Sequence, residues 1–171
     1  SGCVVAVGGY GGNDVEDDAC EVRRHEWSGS CWYKLGGHID GEAADDYSGG
    51  SVSLSSDGLT VAIGARHNDG NGTSSGHVRI YQWNPAGLGW EKKGEDIKGE
   101  ADSKSGFGNS LSSDGSIVAI GAYDGDHGGQ DAGHVRIYEW SGSSWNKLGG
   151  DIDGEAADDY SGGSAALSSD G

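Results

Sequence analysis

The residues best suited to bind an ion lie in three Gly-rich segments. "DGDHGGQD" fits part of the calcium-loop pattern D-x-D-x-[DN]-G, with Gly128 where a ligand belongs. Oxygen ligands in this segment and in "HNDGNG" are Asp124, Asp126, Asp131, Asn68, Asp69 and Asn71. A third segment, "GNDVEDD", offers Asn13, Asp14, Glu16, Asp17 and Asp18. Calcium is therefore the cofactor these segments would hold, and the alternative is that Asp, Asn and Gly simply form turns.

Catalytic signatures are missing from the sequence. It contains no H-E-x-x-H, no G-x-S-x-G elbow between a strand and a helix, and no Walker loop. Adjacent carboxylates occur beside a Glu as Asp45-Asp46 with Glu42 and as Asp158-Asp159 with Glu155. Neighbours on a strand point to opposite faces, so such pairs rarely form an acid/base dyad. The six His residues show no metal-ligand spacing, and we expect His77 and His134 to begin strands. We predict that the chain is not an enzyme.

These side chains are placed by an internal repeat. Asp-Gly pairs end at Gly58, Gly115 and Gly171, so the period is 57 and then 56 residues (115 − 58 and 171 − 115). "VVAVGG", "TVAIGA" and "IVAIGA" follow the same period, as do "EVRRHEW", "HVRIYQW" and "HVRIYEW". All six Trp residues fall into one pair per unit. A fixed period of this length indicates repeat architecture, with units at 1–57, 58–114 and 115–171.

Each unit is predicted to form four strands, A to D. In the middle unit, "SVSLS" is strand A, and Asp57-Gly58 forms a type I′ hairpin turn before strand B, "TVAIGA". The loop "RHNDGNGTSSG" leads to strand C, "HVRIYQW", and strand D lies near Trp90 to Gly94. Strand A of each sheet comes from the preceding unit. Strand B is expected near Val4 to Gly8, Thr60 to Ala65 and Ile117 to Ala122.

Strand C carries apolar residues on both faces. Val78 and Ile80 face one way, whereas Tyr81 and Trp83 face the other with Arg79. This pattern indicates a sheet covered by a neighbour on each side. No helical period of useful length exists. Repeated four-stranded sheets covered on both faces are typical of β-propeller blades.

Phe107-Gly108 before one strand and Gly121-Ala122 at the end of the next resemble the FG-GAP repeat of integrin-alpha-type β-propellers. The pattern "GSVSLSSDGLTVAIGA" with "GHVRIYQW" is similar to repeat arrays in secreted and surface proteins of microbes. The resemblance implies an all-β fold of three four-stranded antiparallel units of about 57 residues, part of a larger propeller. The integrin calcium loop is replaced here by the short "SSDG" turn, so the resemblance does not carry that calcium site over.

Covalent features follow from this arrangement. Cys3, Cys20 and Cys31 all lie in unit one, and Cys3 and Cys31 both follow turns at the same end of the sheet. A Cys3–Cys31 disulfide is geometrically possible and would leave Cys20 for another chain or segment; three free thiols are the alternative. Asn71-Gly72-Thr73 is a glycosylation sequon on a loop, which fits a secreted protein of eukaryotic origin.

Composition limits the partners. A net charge of −17 disfavours nucleic acid and anionic membranes, because phosphate binding needs clustered Lys and Arg. No apolar run approaches the roughly 18 residues of a spanning helix, so no membrane insertion is expected. We predict a non-catalytic extracellular or cell-surface propeller module for adhesion, assembly or scaffolding through protein–protein contacts. The alternatives are a calcium- or carbohydrate-binding lectin-like propeller, with glycans as partners, and a propeller enzyme acting on polysaccharide.

The chain begins and ends at the same point of the repeat. We therefore expect further blades, from the same polypeptide or from partner chains, because closed propellers take about 4–8 blades. Arg24 and His25 stand where unit two has Ile80 and Tyr81, which predicts a different kind of neighbour for unit one. Binding surfaces are expected on the loops between strands B and C and on the connections from D to A, the most acidic and variable segments.

Overall fold

The computed structural model describes residues 3–9, 21–87 and 89–171, and these ranges contain strands but no helix. The strands are β1 (Val4–Gly8), β2 (Glu21–Trp27), β3 (Trp32–Asp40), β4 (Ser48–Leu54), β5 (Thr60–Ala65), β6 (His77–Asn84), β7 (Gly89–Lys92), β8 (Ile97–Lys98), β9 (Ser105–Leu111), β10 (Ile117–Ala122), β11 (His134–Trp140), β12 (Trp145–Lys147) and β13 (Ile152–Asp153). The described ranges hold no helix long and apolar enough to cross a membrane.

Three antiparallel sheets account for these strands. Sheet one has the order β1-β2-β3. Sheet two runs β4-β5-β6-β7 with β8 also paired to β6, and sheet three runs β9-β10-β11-β12 with β13 paired to β11. The predicted all-β fold and the predicted second strands Val4–Gly8, Thr60–Ala65 and Ile117–Ala122 are confirmed. In sheet two, β4 precedes the Asp-Gly turn and pairs with β5, as expected for strand A.

The Asp-Gly turns differ from the predicted type. Gly58 has φ 71° but Asp57 does not have a positive φ, whereas a type I′ turn needs both. The Gly58 N–H donates to the Ser55 carbonyl at 2.9 Å, and the Asp57 carboxylate accepts from the Ser55 hydroxyl at 2.7 Å. The hairpin is therefore a type I turn followed by a left-handed Gly. A Cβ on Gly58 would lie 3.0 Å from the Val4 side chain, so the turn also packs on sheet one.

The sheets pack face to face through two apolar cores. The core between sheets one and two contains Val22, Ile39, Val61 and Ile63. The core between sheets two and three contains Ala62, Val78, Ile80, Ile97, Leu111, Val118 and Ile120. Sheet two is thus covered on both faces, as the two-sided pattern of its third strand indicated. Small residues in the second strands allow this approach, since a Cβ on Gly64 would lie 2.1 Å from the Gly106 carbonyl oxygen.

The Trp pairs face one another across the third and fourth strands. The ring centroids are 5.4 Å apart for Trp27–Trp32 and 5.3 Å apart for Trp83–Trp90 and for Trp140–Trp145. Trp83 is buried against sheet one, and the Trp145 indole N–H donates to the Lys93 carbonyl of sheet two at 2.8 Å. Trp27 and Trp32 are exposed, because no sheet covers their face of sheet one within the described ranges.

The position of Arg24 corrects one expectation. Alternation along β2 places Arg24 with Val22 on the face toward sheet two, and its guanidinium lies over the Trp83 ring at 4.8 Å. Arg24 therefore contacts the next unit rather than a preceding neighbour. Of these two residues, only His25 lies on the open face of sheet one, where its partner on β1 is Val5.

The predicted Cys3–Cys31 disulfide is not formed. Both thiols are free and exposed. The Cys3 carbonyl accepts from the Trp27 N–H at 2.9 Å, and Trp27 in turn pairs with Trp32 of β3, so β2 lies between the two cysteines. Two strand spacings of about 4.8 Å exceed the roughly 7 Å that a disulfide can bridge. Cys20 lies outside the described residues.

Candidate functional site

The loops after the second strands and the connections between sheets meet at one end of the molecule. In sheet two, the loop at 66–76 lies against the connection at 99–104. The Gly99 N–H donates to the Gly76 carbonyl at 2.9 Å, and the Asp102 N–H donates to the Thr73 carbonyl at 2.7 Å. The same contact recurs in sheet three, where the Gly154 N–H donates to the Gly133 carbonyl at 2.9 Å. This loop end is held by backbone hydrogen bonds.

The predicted oxygen ligands of the first loop bond to neighbouring groups. Asn68 donates to the buried Asp46 carboxylate at 2.7 Å and accepts from the Gly70 N–H at 2.9 Å. The Asp69 carboxylate accepts from the Ser74 N–H at 2.7 Å. Asn71 donates to the Gly99 carbonyl at 2.8 Å. These hydrogen bonds fix the conformation of the loop, in agreement with the alternative that its Asp and Asn residues form turns. Calcium binding by this loop stays a prediction.

The second loop uses its carboxylates in a similar way. Asp126 accepts from the Asp131 N–H at 2.9 Å, and Asp124 is paired with Lys104. The third acidic segment, with Asn13, Asp14, Glu16, Asp17 and Asp18, lies outside the described residues. Asn71 of the sequon is exposed, and its glycosylation stays a prediction. Of the adjacent carboxylates, Asp159 accepts from the Ala156 N–H at 2.8 Å, which fixes the connection at 154–160.

A cluster that sequence reasoning missed lies beside the first loop. Glu42, His77 and Asp96 each place one ligand atom within 4.8 Å of the others. Glu42 belongs to the connection between sheets one and two, His77 begins β6, and Asp96 precedes β8. Burial of the imidazole, and then the Arg79 charge, lowers the pKa of His77 below its usual value. The recurrence of Glu, His and Asp one unit later, as Glu100, His134 and Asp151, is the signal that could have revealed it.

At the later junction an Arg occupies the centre of the equivalent group. Arg136 donates to Glu100 at 2.7 Å and to Asp151 at 2.9 Å. The Arg136 guanidinium holds the pKa of the Asp151 carboxyl well below its usual range. Arg79, the counterpart of Arg136, instead donates to the Asp40 carbonyl at 2.8 Å. The two junctions therefore differ in how the carboxylates are paired: Arg136 hydrogen-bonds to both of its carboxylates, whereas Arg79 Nη1 lies 3.7 Å from Glu42 and Lys92 pairs with Asp96 at 2.8 Å.

A row of stacked side chains crosses the sheets at the loop end. The Arg66 guanidinium lies 4.4 Å from the Tyr47 ring and 5.4 Å from the Phe107 ring. Phe107 stacks on Tyr123 at 4.6 Å, and Tyr123 stacks on Tyr160 at 4.7 Å. Stacking of aromatic and guanidinium planes stabilises contacts by about 0.5–1.5 kcal/mol per pair beyond burial. This row links sheets two and three.

Two open sheet faces contain most of the large exposed apolar side chains. On sheet one, Val5 is 37% exposed and Val7 49%, whereas their counterparts Val61 and Ile63 are 0% and 1% exposed. Trp27 and Trp32 share the open face of sheet one. On sheet three, Leu148 and Ile152 are exposed where the corresponding face of sheet two is covered. Each open face is thus equivalent to a face that is buried elsewhere in the molecule.

Comparison with known proteins identifies the repeat. Residues 39–81, from the end of β3 into β6, match the family model described as the FG-GAP repeat. The FG-GAP-type recognition made on the sequence is confirmed, and the β-propeller fold class follows from it together with the observed sheets. The FG-GAP segment includes Glu42 and His77.

No curated protein sequence matches the chain. Among solved structures, the chain is similar to the periplasmic gluconolactonase PpgL of Pseudomonas aeruginosa, with 14% sequence identity and a TM-score of 0.48. The superposition covers 85% of this chain and 36% of the gluconolactonase chain, so the chain spans about a third of that protein's length.

Proposed function

We propose that this chain is a non-catalytic, extracellular FG-GAP propeller module that works through protein–protein contacts in adhesion, assembly or surface scaffolding. The observation that carries the proposal is the contrast between open and covered copies of the same repeat position, such as Val7 against Ile63. An exposed apolar face of this kind typically marks a site of protein association. The exposed Asn71 sequon supports an extracellular location.

The open faces of sheets one and three correspond to the two sides of the sheet-on-sheet contact that occurs twice within the chain. Sheet two covers sheet one through Val61 and Ile63, and sheet one offers Val5 and Val7 at the same positions. On the other side, Ile97 of sheet two packs toward sheet three, and sheet three offers Ile152 at that position. A further FG-GAP unit, on this polypeptide or on a second copy, would therefore find a preformed apolar surface on either face.

Self-association provides the test. Sedimentation velocity of the chain over rising concentration should show head-to-tail association, in which sheet three of one copy covers sheet one of another. Val7→Lys should block one face and Ile152→Lys the other, because a buried unpaired charge is strongly unfavourable. Each variant alone should be monomeric, and an equimolar mixture should form a dimer and nothing larger.

Ala86→Lys is the matched control, because it adds the same charge in the exposed turn between β6 and β7. It should associate like the unmodified chain. A chain that stays monomeric at every concentration would contradict the proposal. So would association that neither face variant weakens.

A further inference from the structure

Three side chains from separate segments converge where sheet one meets sheet two. One imidazole nitrogen of His77 and one carboxylate oxygen each of Glu42 and Asp96 lie within 4.8 Å of one another. His77 is 1% exposed, and its Nε2 atom has no hydrogen-bond partner among the described residues. A buried polar atom without a partner costs about 1–3 kcal/mol, so an additional ligand at this nitrogen would be stabilising.

We propose that Glu42, His77 and Asp96 form a binding site for a divalent transition-metal ion of the Zn²⁺ type. One imidazole nitrogen and two carboxylate oxygens are ligands that Zn²⁺ accepts, and their combined charge of −2 balances the ion. The imidazole favours such a metal over Ca²⁺ or Mg²⁺, which prefer oxygen alone. This site is separate from the acidic loop residues, such as Asp69 and Asp126.

The geometry allows the three ligands to close on one ion. Ligand atoms at about 2.0–2.2 Å from a tetrahedral metal lie about 3.4 Å from one another. Closing from the observed spacing needs a shift on the order of 1 Å. Glu42 can supply it, because its side chain is 44% exposed and belongs to a connection rather than to a strand.

The charged neighbours are compatible with a bound ion. Arg79 Nη2 donates to the Asp40 carbonyl at 2.8 Å and to the Ser48 hydroxyl at 3.3 Å, and Arg79 Nη1 lies 3.7 Å from Glu42. Lys92 pairs with Asp96 at 2.8 Å and is the direct competitor of the ion.

The junction between sheets two and three supplies an internal control. Glu100, His134 and Asp151 occupy the equivalent positions, but Arg136 bonds to both carboxylates. His127, Asp151 and Asp153 also approach one another, and there too Arg136 already neutralises Asp151. We therefore expect binding at His77 and not at His134, although both imidazoles are buried.

The test is a titration of the complete chain with Zn²⁺ at neutral pH, followed by calorimetry and by the thermal unfolding midpoint. The unmodified chain should bind Zn²⁺ and unfold at a higher temperature with it. His77→Ala and Asp96→Asn should each weaken binding by at least about 100-fold. His134→Ala should bind like the unmodified chain. Lys92→Met should bind more tightly, because it removes the competing ammonium.

Two measurements keep the outcomes distinct. Asp96→Asn keeps the shape of the side chain, so it reports on ligation even if His77→Ala does not fold, and circular dichroism without metal checks the fold of each variant. Visible absorption of bound Co²⁺ should show nitrogen and oxygen ligation that disappears in Asp96→Asn. No Zn²⁺ binding by the unmodified chain would overturn the proposal. Equal binding by Asp96→Asn, or loss of binding in His134→Ala, would do the same.

Discussion

Ile97 and Ile152 occupy the same position of the repeat, one on a covered sheet face and the other on an open face. Replacing each of them by Ala therefore makes the same chemical change in two different environments. Ile97 is 7% exposed between sheets two and three, and Ile152 is 58% exposed on the open face of sheet three. The comparison therefore measures what a covering sheet contributes to stability. Both residues lie in two-residue strands that pair with the start of the third strand of their sheet, so the local backbone is matched.

The magnitudes follow from burial. Ile→Ala removes three carbon atoms, each worth about 0.8 kcal/mol when buried. Scaled by the buried fraction, the loss is about 2.2 kcal/mol for Ile97 and about 1.0 kcal/mol for Ile152. Ile97 also leaves a cavity between packed sheets, which raises its total to about 3 kcal/mol. We expect the two variants to differ by about 2 kcal/mol in the free energy of unfolding.

Urea unfolding followed by Trp fluorescence, at micromolar concentration where association is weak, measures this difference. At high concentration the loss for Ile152→Ala should grow, because a second copy would then cover that face. Equal losses for the two variants at low concentration would refute the assignment of one face as covered and the other as open. A larger loss for Ile152→Ala than for Ile97→Ala would reverse it.

Two further predictions concern single side chains. Arg24→Ile should raise the free energy of unfolding by about 1 kcal/mol or more in urea titration, because Nε and Nη1 of this buried Arg have no hydrogen-bond partner and Ile80 occupies the equivalent position; a loss of stability would show that stacking on Trp83 and the ion pair with Glu26 at 4.0 Å outweigh the cost of the unbonded N–H groups. Hydrogen bonds from the Ser116 hydroxyl and N–H and from the Ser112 hydroxyl lower the pKa of Asp114 to about 2. Because the folded-state pKa lies below the unfolded one, this stability is present above about pH 4 and is lost toward about pH 2. Asp114→Ala should remove that part of the acid unfolding profile, and an unchanged profile would contradict it.

Local sequence determined the strands. Alternation of polar and apolar residues favours an extended backbone, and the Asp-Gly pairs form turns that end the strands. The segments "TVAIGA" and "HVRIYQW" therefore specify β5 and β6 without reference to the rest of the chain. Because the sequence repeats, each of these local patterns occurs once in each of the three units. Even the two-sided pattern of Val78 against Tyr81 correctly predicted that sheet two is covered on both faces. The type of the Asp-Gly turn was missed, because Asp-Gly suits both a type I′ turn centred on Asp57-Gly58 and the observed type I turn, which is followed by a left-handed Gly58.

Tertiary structure decided which residues meet. Alternation shows that Arg24 and His25 lie on opposite faces, but only the stacking direction of the sheets shows that Arg24 faces Trp83. The separation of Cys3 from Cys31 likewise depends on β2 lying between them. Glu42, His77 and Asp96 come together only when the connection from sheet one crosses to sheet two, because contacts of this kind depend on loop paths and side-chain directions that no local pattern encodes. The same is true of Arg79 and Arg136, which share a repeat position yet bond to different partners.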